Sequence, residues 1–291
     1  MDVDQLRALV NAVDAGTFDA AAARLHVTPS AVSQRIKALE ASVGAVLLQR
    51  TKPVRPTAKG EVLLRTARQV GHLLDEAGGL LAGDPARGSA GRVRVPVVVN
   101  ADSIATWFGP AIVDLGRGPN LELDLRRDDE AVTAELLRSG EVMAAVTADP
   151  SPVQGCSVHG LGAMTYRAKA SRRFVRRWLP DGATPEALHR APMVQYDHQD
   201  QHQNRLLRSV APEARPPEHF IPDSVQYVAA IRAGVGWGMV PDLQDTLGQL
   251  VVLDAAWVHK VELYWQVWKL DSPALDLVTA AVLRAAAHHL R

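Results

Sequence analysis

The chain has 291 residues, too many for one ordinary domain of about 150 residues, so two or three packed units are expected. Hydrophobic residues make up 47% and charged residues 22%, which excludes fibrous, collagen-like and mostly disordered classes. Lys plus Arg and Asp plus Glu are 32 each, so total charge selects no partner. The single cysteine, Cys156, excludes an internal disulfide and a thiolate metal site and fits a reducing cytoplasm. The start, MDVDQLRALVNAVDAG, is acidic and amphipathic where a secretory signal is basic and then apolar, and no window offers the roughly 18 apolar residues of a membrane span. A cytoplasmic protein without a membrane segment is expected.

The neutrality is an average. Residues 24–59 carry Arg24, Arg35, Lys37, Arg50, Lys52, Arg55 and Lys59 against Glu40 alone, and the rest of the chain is acidic to the same extent. A nucleic-acid-binding module joined to something else has this pattern. Leu6, Leu9, Val10 and Val13 form one apolar stripe of a first helix that Gly16 stops. Thr17 caps a short second helix from Ala20 to Leu25, rich in alanines that allow close approach. Thr28 then caps a third helix with Pro29 at its first position, where the missing N–H costs nothing. Val32, Ile36, Leu39 and Val43 face the core, so Ser30, Gln34 and Lys37 point outward with Ser33 on one flank. Two helices joined by a tight turn, the second with an outward polar face, match the helix-turn-helix layout that places a recognition helix in the major groove.

The run VTPSAVSQRIKALEASVGAVLLQRTKPVRPTAKGEVLL closely resembles the LysR-type transcriptional regulators. The likeness covers about sixty residues: the second helix AAAARLHVT, the S-x-x-I-K-x-L-E recognition helix, the LLxR strand into a wing, and the P-T-x-x-G start of a linker helix. The resemblance implies that Ser30, Ser33, Gln34 and Lys37 discriminate bases, that Arg50 and Lys52 neutralise phosphates, and that Arg55, held between two prolines, enters a minor groove. The competing reading of Arg50 is an ion pair, with Glu40 as the available acid. Leu63, Ala67, Val70, Leu74, Ala77 and Leu81 form a heptad seam, which buries itself against another helix; in this family that helix belongs to a second subunit. Such a homodimer, or a tetramer built from it, fits an interrupted palindrome of double-stranded DNA with half-sites roughly 34 Å apart. Packing on the chain's own domain is the alternative, and Gly78 with Gly79 could shorten the helix.

GDPARGSAG, residues 83–91, reads as a hinge. Beyond it, RVRVPVVVN, a helix from Ile104 to Leu115, LELDLR, a helix from Ala131 to Leu137, and VMAAVT give a β-α-β-α-β order, hence a mainly parallel sheet with ligands beyond the carboxyl ends of its strands. A second alternating unit runs from about Met164 to Leu253, with strands at MVQYD and EHFIP and a helix starting near Ser224. The fold class expected is an N-terminal all-α winged helix-turn-helix with a long linker helix, then a C-terminal α/β two-lobed effector domain. The resemblance implies a periplasmic-binding-protein-like form, with the last helix, Ala274 to Leu290, returning to the first lobe. The boundaries expected are 1–58, 59–82, 83–91 and 92–291, with lobe one at 92–162 and 268–291 and lobe two at 163–267.

The strand-end rule nominates Asn100, Asp102 and Ser103, where backbone N–H groups favour a carboxylate and Asp102 an ammonium, with Thr147, Tyr196, Asp197, Asp223 and Ser224. Asp102, Ser103, Asp223 and Ser224 could equally be helix caps. NADSIATWFGPA and VGWGMVPD resemble most the branch of the family that senses basic amino acids and controls lysine or arginine export. That likeness implies a lysine, arginine or histidine effector, which suits Asp102, Asp149, Asp197 and Asp223.

Other signals are weaker. His198 and His202, flanked by Asp197 and Asp200, could share a helix face but lack further ligands at fixed spacing. Gly234, Gly236 and Gly238 suggest a nucleotide loop, but Met239 replaces the third required glycine. Cys156 and His159 would point to opposite faces of a strand. No cofactor, catalytic group or metal site is expected. The favoured reading is an effector-switched regulator; the alternatives are a metabolic enzyme or solute-binding domain with an accessory helix-turn-helix, and an architectural DNA protein.

Overall fold

The computed structural model describes residues 1–82, 92–118, 121–127 and 130–290; the expected hinge, 83–91, lies outside the described residues. Helix α1 is Val3–Asp14, closed at its start by a reciprocal Asp2–Gln5 capping box. Leu6 and Leu9 are buried, Val10 and Val13 half-buried. Helix α2 is Phe18–Leu25, capped by Thr17, and α3 is Pro29–Val43, capped by Thr28 with Pro29 in the first turn. Val32, Ile36 and Leu39 are buried, but Val43 is exposed because α3 ends there and Gly44 turns the chain left-handed. Strands β1, Leu48–Gln49, and β2, Arg55–Pro56, pair antiparallel as a small wing.

Helix α4, Ala58–Ala82, runs unbroken through Gly78 and Gly79, about 37 Å long at 1.5 Å per residue. Its predicted seam divides. Ala67 is buried in the core of its own winged module, with Leu63 and Val70 packed against it, while Leu74, Ala77 and Leu81 are exposed. A second stripe, invisible to an apolar pattern, is buried against the rest of the chain: Arg68, His72 and Glu76.

The C-terminal half starts with β3, Val93–Val99, parallel to both β4, Leu121–Arg127, and β5, Ala144–Thr147. The helix expected from Ile104 to Leu115 is two helices, α5, Ala101–Ala105, and α6, Gly109–Gly116. Between them Trp107 and Phe108 turn fully into the core, and Pro110 has no N–H to continue the ladder. Helix α7, Glu130–Ser139, covers β5.

Strand β6 is 16 residues, Cys156–Ser171, and its residues 156–167 pair antiparallel with the whole of β11, Val258–Trp268. The first half of β6 lies beside the part of β11 that continues onto β5; the second half carries β9, Gly238–Pro241, and β10, Leu250–Val252. These two strands therefore pass from lobe one into lobe two. The register shifts at Leu263/Tyr264, opposite Gly162 and Gly160. Gly162 has φ +108° and an added Cβ would lie 3.0 Å from Leu290 Cβ, so only glycine suits this crossing. The first lobe boundary, expected at 162/163, adjoins this shift. The return, expected at 267/268, falls at Leu263/Tyr264, because Trp265, Gln266 and Val267 already pair with β5.

Lobe two holds α8, Arg172–Trp178, α9, Pro185–Arg190, β7, Met193–Gln195, α10, His202–Val210, β8, Glu218–Phe220, and α11, Ser224–Ala233. Strands β7 and β8, in the MVQYD and EHFIP segments expected to be strands, are parallel neighbours. Helix α12, Pro273–His289, returns to pack on α6 of lobe one.

The polar stripe of α4 joins the halves. Arg68 donates to the Ser139 carbonyl at 2.8 Å, lies 3.6 Å from Glu141, and pairs with Asp14 of α1. Glu76 accepts from Ala274 N at 2.7 Å, placing a carboxylate at the positive end of α12. His72 Nε2 is 3.3 Å from Ser272 Oγ. Arg68→Met would strand both carboxylates and the carbonyl. Since Asp14 and Glu141 are about 40% exposed, they regain water, and the loss should be about 1–2 kcal/mol rather than the 3–5 of a fully buried pair. A urea denaturation midpoint of the full chain measures it, and an unchanged midpoint contradicts the bridge.

Candidate nucleic-acid interface and ligand cleft

On α3, Ser30, Gln34 and Lys37 are exposed and Ser33 is half-buried, so the predicted outward face is present. Thr28 Oγ1 accepts from Ala31 N at 3.2 Å and lies 2.9 Å from Ser30 Oγ; Pro29 is exposed beside them. Arg35 is drawn back by an ion pair with Asp4 at 2.9 Å, which fixes α3 on α1.

Arg50, Lys52 and Arg55 project from the wing, all exposed, and among the described residues none has a carboxylate within ion-pair distance. Glu40 is not the partner of Arg50. Its Oε1 accepts from Leu47 N at 2.9 Å, with Leu48 N at 3.4 Å, tying the wing to the recognition helix. On the other side, the Leu47 carbonyl accepts from Thr57 N at 2.8 Å and sits where a Cβ on Gly60 would come within 2.0 Å. The glycine of P-T-x-x-G thus lets the wing backbone touch α4. Helix face and wing are held as one rigid basic surface.

The cleft between the lobes has a volume of about 590 Å³. Lobe one supplies Asn100, Asp102, Arg127 and Ala148; lobe two supplies Tyr166, Tyr196, Asp197, Gln199, Asp200 and His202. Of the residues nominated from sequence, Asn100, Asp102, Tyr196 and Asp197 line it. Asn100 caps α5 through Ser103 N at 2.8 Å, and Asp197 accepts from Gln199 N and Asp200 N at 2.8 and 2.9 Å. Ser103 is fully buried behind the wall. Thr147 and Asp149 face a separate, smaller cleft with Arg65 and Arg138, because Thr147 points away on its strand. Asp223 caps α11 at Val225 N and Gln226 N, so for it the helix-cap reading holds.

Ser224 does more than begin a helix: its hydroxyl donates to Asp102 Oδ1 at 2.5 Å, while Tyr166 Oη donates to Asp102 Oδ2 at 2.8 Å. Burial pushes the Tyr166 phenol well above its usual range, and the Asp102 charge adds to it, so it stays a donor. The Tyr166 ring stacks on His202 at 4.7 Å. Tyr166 and Arg127 were missed from sequence, and Asp200 and His202 were noted there only as a weak metal signal and not as cleft residues. Arg127 could have been found, since it ends a strand by the same rule; the others sit at strand middles or helix starts.

Residues 3–61 match the bacterial regulatory helix-turn-helix proteins of the lysR family, and residues 86–287 match the LysR substrate binding domain. The chain belongs to the LysR family. As a LysR-family member it is a DNA-binding transcriptional regulator and not an enzyme, which removes the metabolic-enzyme alternative. It is 46% identical to ArgP from Mycobacterium tuberculosis, with a TM-score of 0.87 over 100% of this chain and 99% of that one. Full-length LysG from Corynebacterium glutamicum with bound effector arginine is 36% identical, with a TM-score of 0.83 and full coverage of both chains. The lysine export transcriptional regulatory protein LysG of the same organism is 37% identical over the whole of both sequences.

The remaining sequence signals resolve locally. His198 lies 4.0 Å from the Phe220 ring while His202 stacks on Tyr166, and no metal-holding group of three or more His, Cys, Asp or Glu is present among the described residues. Gly236 and Gly238 let the chain pass against Val194 and Tyr227. Cys156 is buried, and burial raises its thiol to about 12. Its alkylation by iodoacetamide at pH 8 should be orders of magnitude slower in the native LysR-family protein than in urea, because only the thiolate reacts. Equal rates in the two states would show an accessible thiol.

Proposed function

We propose that this chain is a homodimeric or tetrameric regulator, acting in the cytoplasm, that binds an interrupted palindrome and is switched by a basic amino acid, controlling an amino-acid exporter gene. One observation carries the effector: among the described residues, Asp102, Asp197 and Asp200 line the interlobe cleft against one guanidinium, Arg127. Arg127 matches an α-carboxylate, and the carboxylate excess matches an α-ammonium plus a second cation. An arginine-bound relative of similar form and a relative named for lysine export support the same ligand class. No helix of the described residues is long and apolar enough to cross a membrane.

On the DNA side, Ser30, Ser33, Gln34 and Lys37 read base edges from α3, with Thr28 and Pro29 fixing its start against the backbone. Arg50 and Lys52 meet phosphates and Arg55 a minor groove. The exposed Leu74, Ala77 and Leu81 are the part of the seam open to a second copy, with Leu63, Ala67 and Val70 bracing it from inside.

Gln34→Ala should cost about 1–3 kcal/mol of discrimination at one base pair and relax preference there. Lys52→Ala should instead weaken all sequences alike and reduce the salt slope by about 0.9. Fluorescence anisotropy with operator and scrambled duplexes separates these, and equal affinity for both duplexes in the unmutated protein would falsify specific recognition. For the effector, arginine, lysine or histidine at about 100 times Kd should stabilise the folded chain by about 2.7 kcal/mol, read as a rise in Tm. A rise with glutamate and none with the three basic amino acids would reverse the assignment.

A further inference from the structure

Asp102 belongs to lobe one, yet both of its oxygens are held by hydroxyls of lobe two: Ser224 on α11 at 2.5 Å and Tyr166 on the far half of β6 at 2.8 Å. Tyr166 is placed in lobe two by its pairing with Pro241 of β9. A carboxylate has about four acceptor sites, so these two donors leave two of them without a partner among the described residues, on a side chain that lines the cleft. The hydroxyls also settle its direction. A carboxylate facing a cleft would otherwise be free to turn; here it is pinned from two sides by charge-assisted bonds.

Building on the basic-amino-acid reading, we propose that Tyr166 and Ser224 are positioning residues for effector specificity: they aim the Asp102 carboxylate at a cationic group of the ligand, and do so only when the lobes are closed. The acidic wall is thereby completed by closure. Asp197 and Asp200 stay with lobe two, fixed by backbone N–H groups of their own turn, and Asp102 joins them when the two hydroxyls reach it. Neither hydroxyl touches the ligand in this scheme. Each acts through Asp102, and the effect is confined to a positively charged feature of the ligand.

The test uses Tyr166→Phe and Ser224→Ala, which each delete one hydroxyl and keep the packing. Calorimetric titration of the full chain uses three probes: L-arginine, L-citrulline, which lacks the guanidinium charge, and 5-guanidinopentanoate, which lacks the α-ammonium. Each variant should bind arginine about tenfold more weakly, the loss expected for a hydrogen bond to a charged group. The same substitution should leave affinity unchanged for the probe lacking the cation that Asp102 meets. An equal loss for all three probes would mean general lobe closure, and no loss for any would mean no role; either overturns the proposal. If the unmutated chain binds no basic amino acid, the effector reading fails by itself. The positioning contact is then judged without ligand by amide exchange, where faster exchange of α5 and α11 in both variants supports it and unchanged exchange overturns it.

Discussion

The ladder between β6 and β11 is the constraint on which the effector half depends. Two long strands cross from one lobe to the other as hydrogen-bonded neighbours, so the lobes cannot rotate independently as they could about flexible linkers. Their freedom is concentrated where the ladder is interrupted, at Leu263/Tyr264 opposite Gly160 and Gly162. A register shift bends and twists a strand pair locally, and Val261 and Leu263 at this point face the cleft. The interruption of the ladder is therefore part of the wall that lines the cleft.

The other half of the coupling is the polar stripe of α4. Arg68 binds the first helix of the winged module and the loop after α7 together, and Glu76 caps α12. All the effector-domain partners in these contacts lie on lobe one. Winged module, linker helix and lobe one are thus tied together by side-chain contacts within the chain, and none of these contacts involves lobe two. A change of lobe angle leaves the contacts of Arg68 in place.

Much of this was legible in the sequence because its signals were local. Caps at Thr17, Thr28 and Asp223 sit beside the helices they start, and the outward face of α3 follows from the positions of Val32, Ile36 and Leu39. The parallel unit followed from alternation along 93–147. What escaped was non-local or polar. The Arg68, His72 and Glu76 stripe is as periodic as an apolar seam, but hydrophobic pattern reading cannot see a buried face made of charges. Asp102 was legible as a cleft residue, whereas its link to Tyr166 and Ser224 spans 64 and 122 positions and has no sequence period. Thr147 lines the smaller cleft and not the main one, because the strand-end rule chooses an end of a sheet and not a side.

Closure of this cleft sets two effects against each other. It gathers Asp102, Asp197 and Asp200 around one small volume, which like-charge repulsion opposes, and it forms the two hydroxyl bonds to Asp102, which favour it. A ligand can shift such a balance only through different affinities for the open and closed forms. In the closure scheme proposed above a cation has that difference built in, because Asp102 joins Asp197 and Asp200 only when the lobes meet, and the cation then offsets the repulsion among them. A neutral molecule of the same shape fills the space and leaves the repulsion standing. The charge of the ligand, more than its size, is then the quantity that this cleft converts into lobe angle.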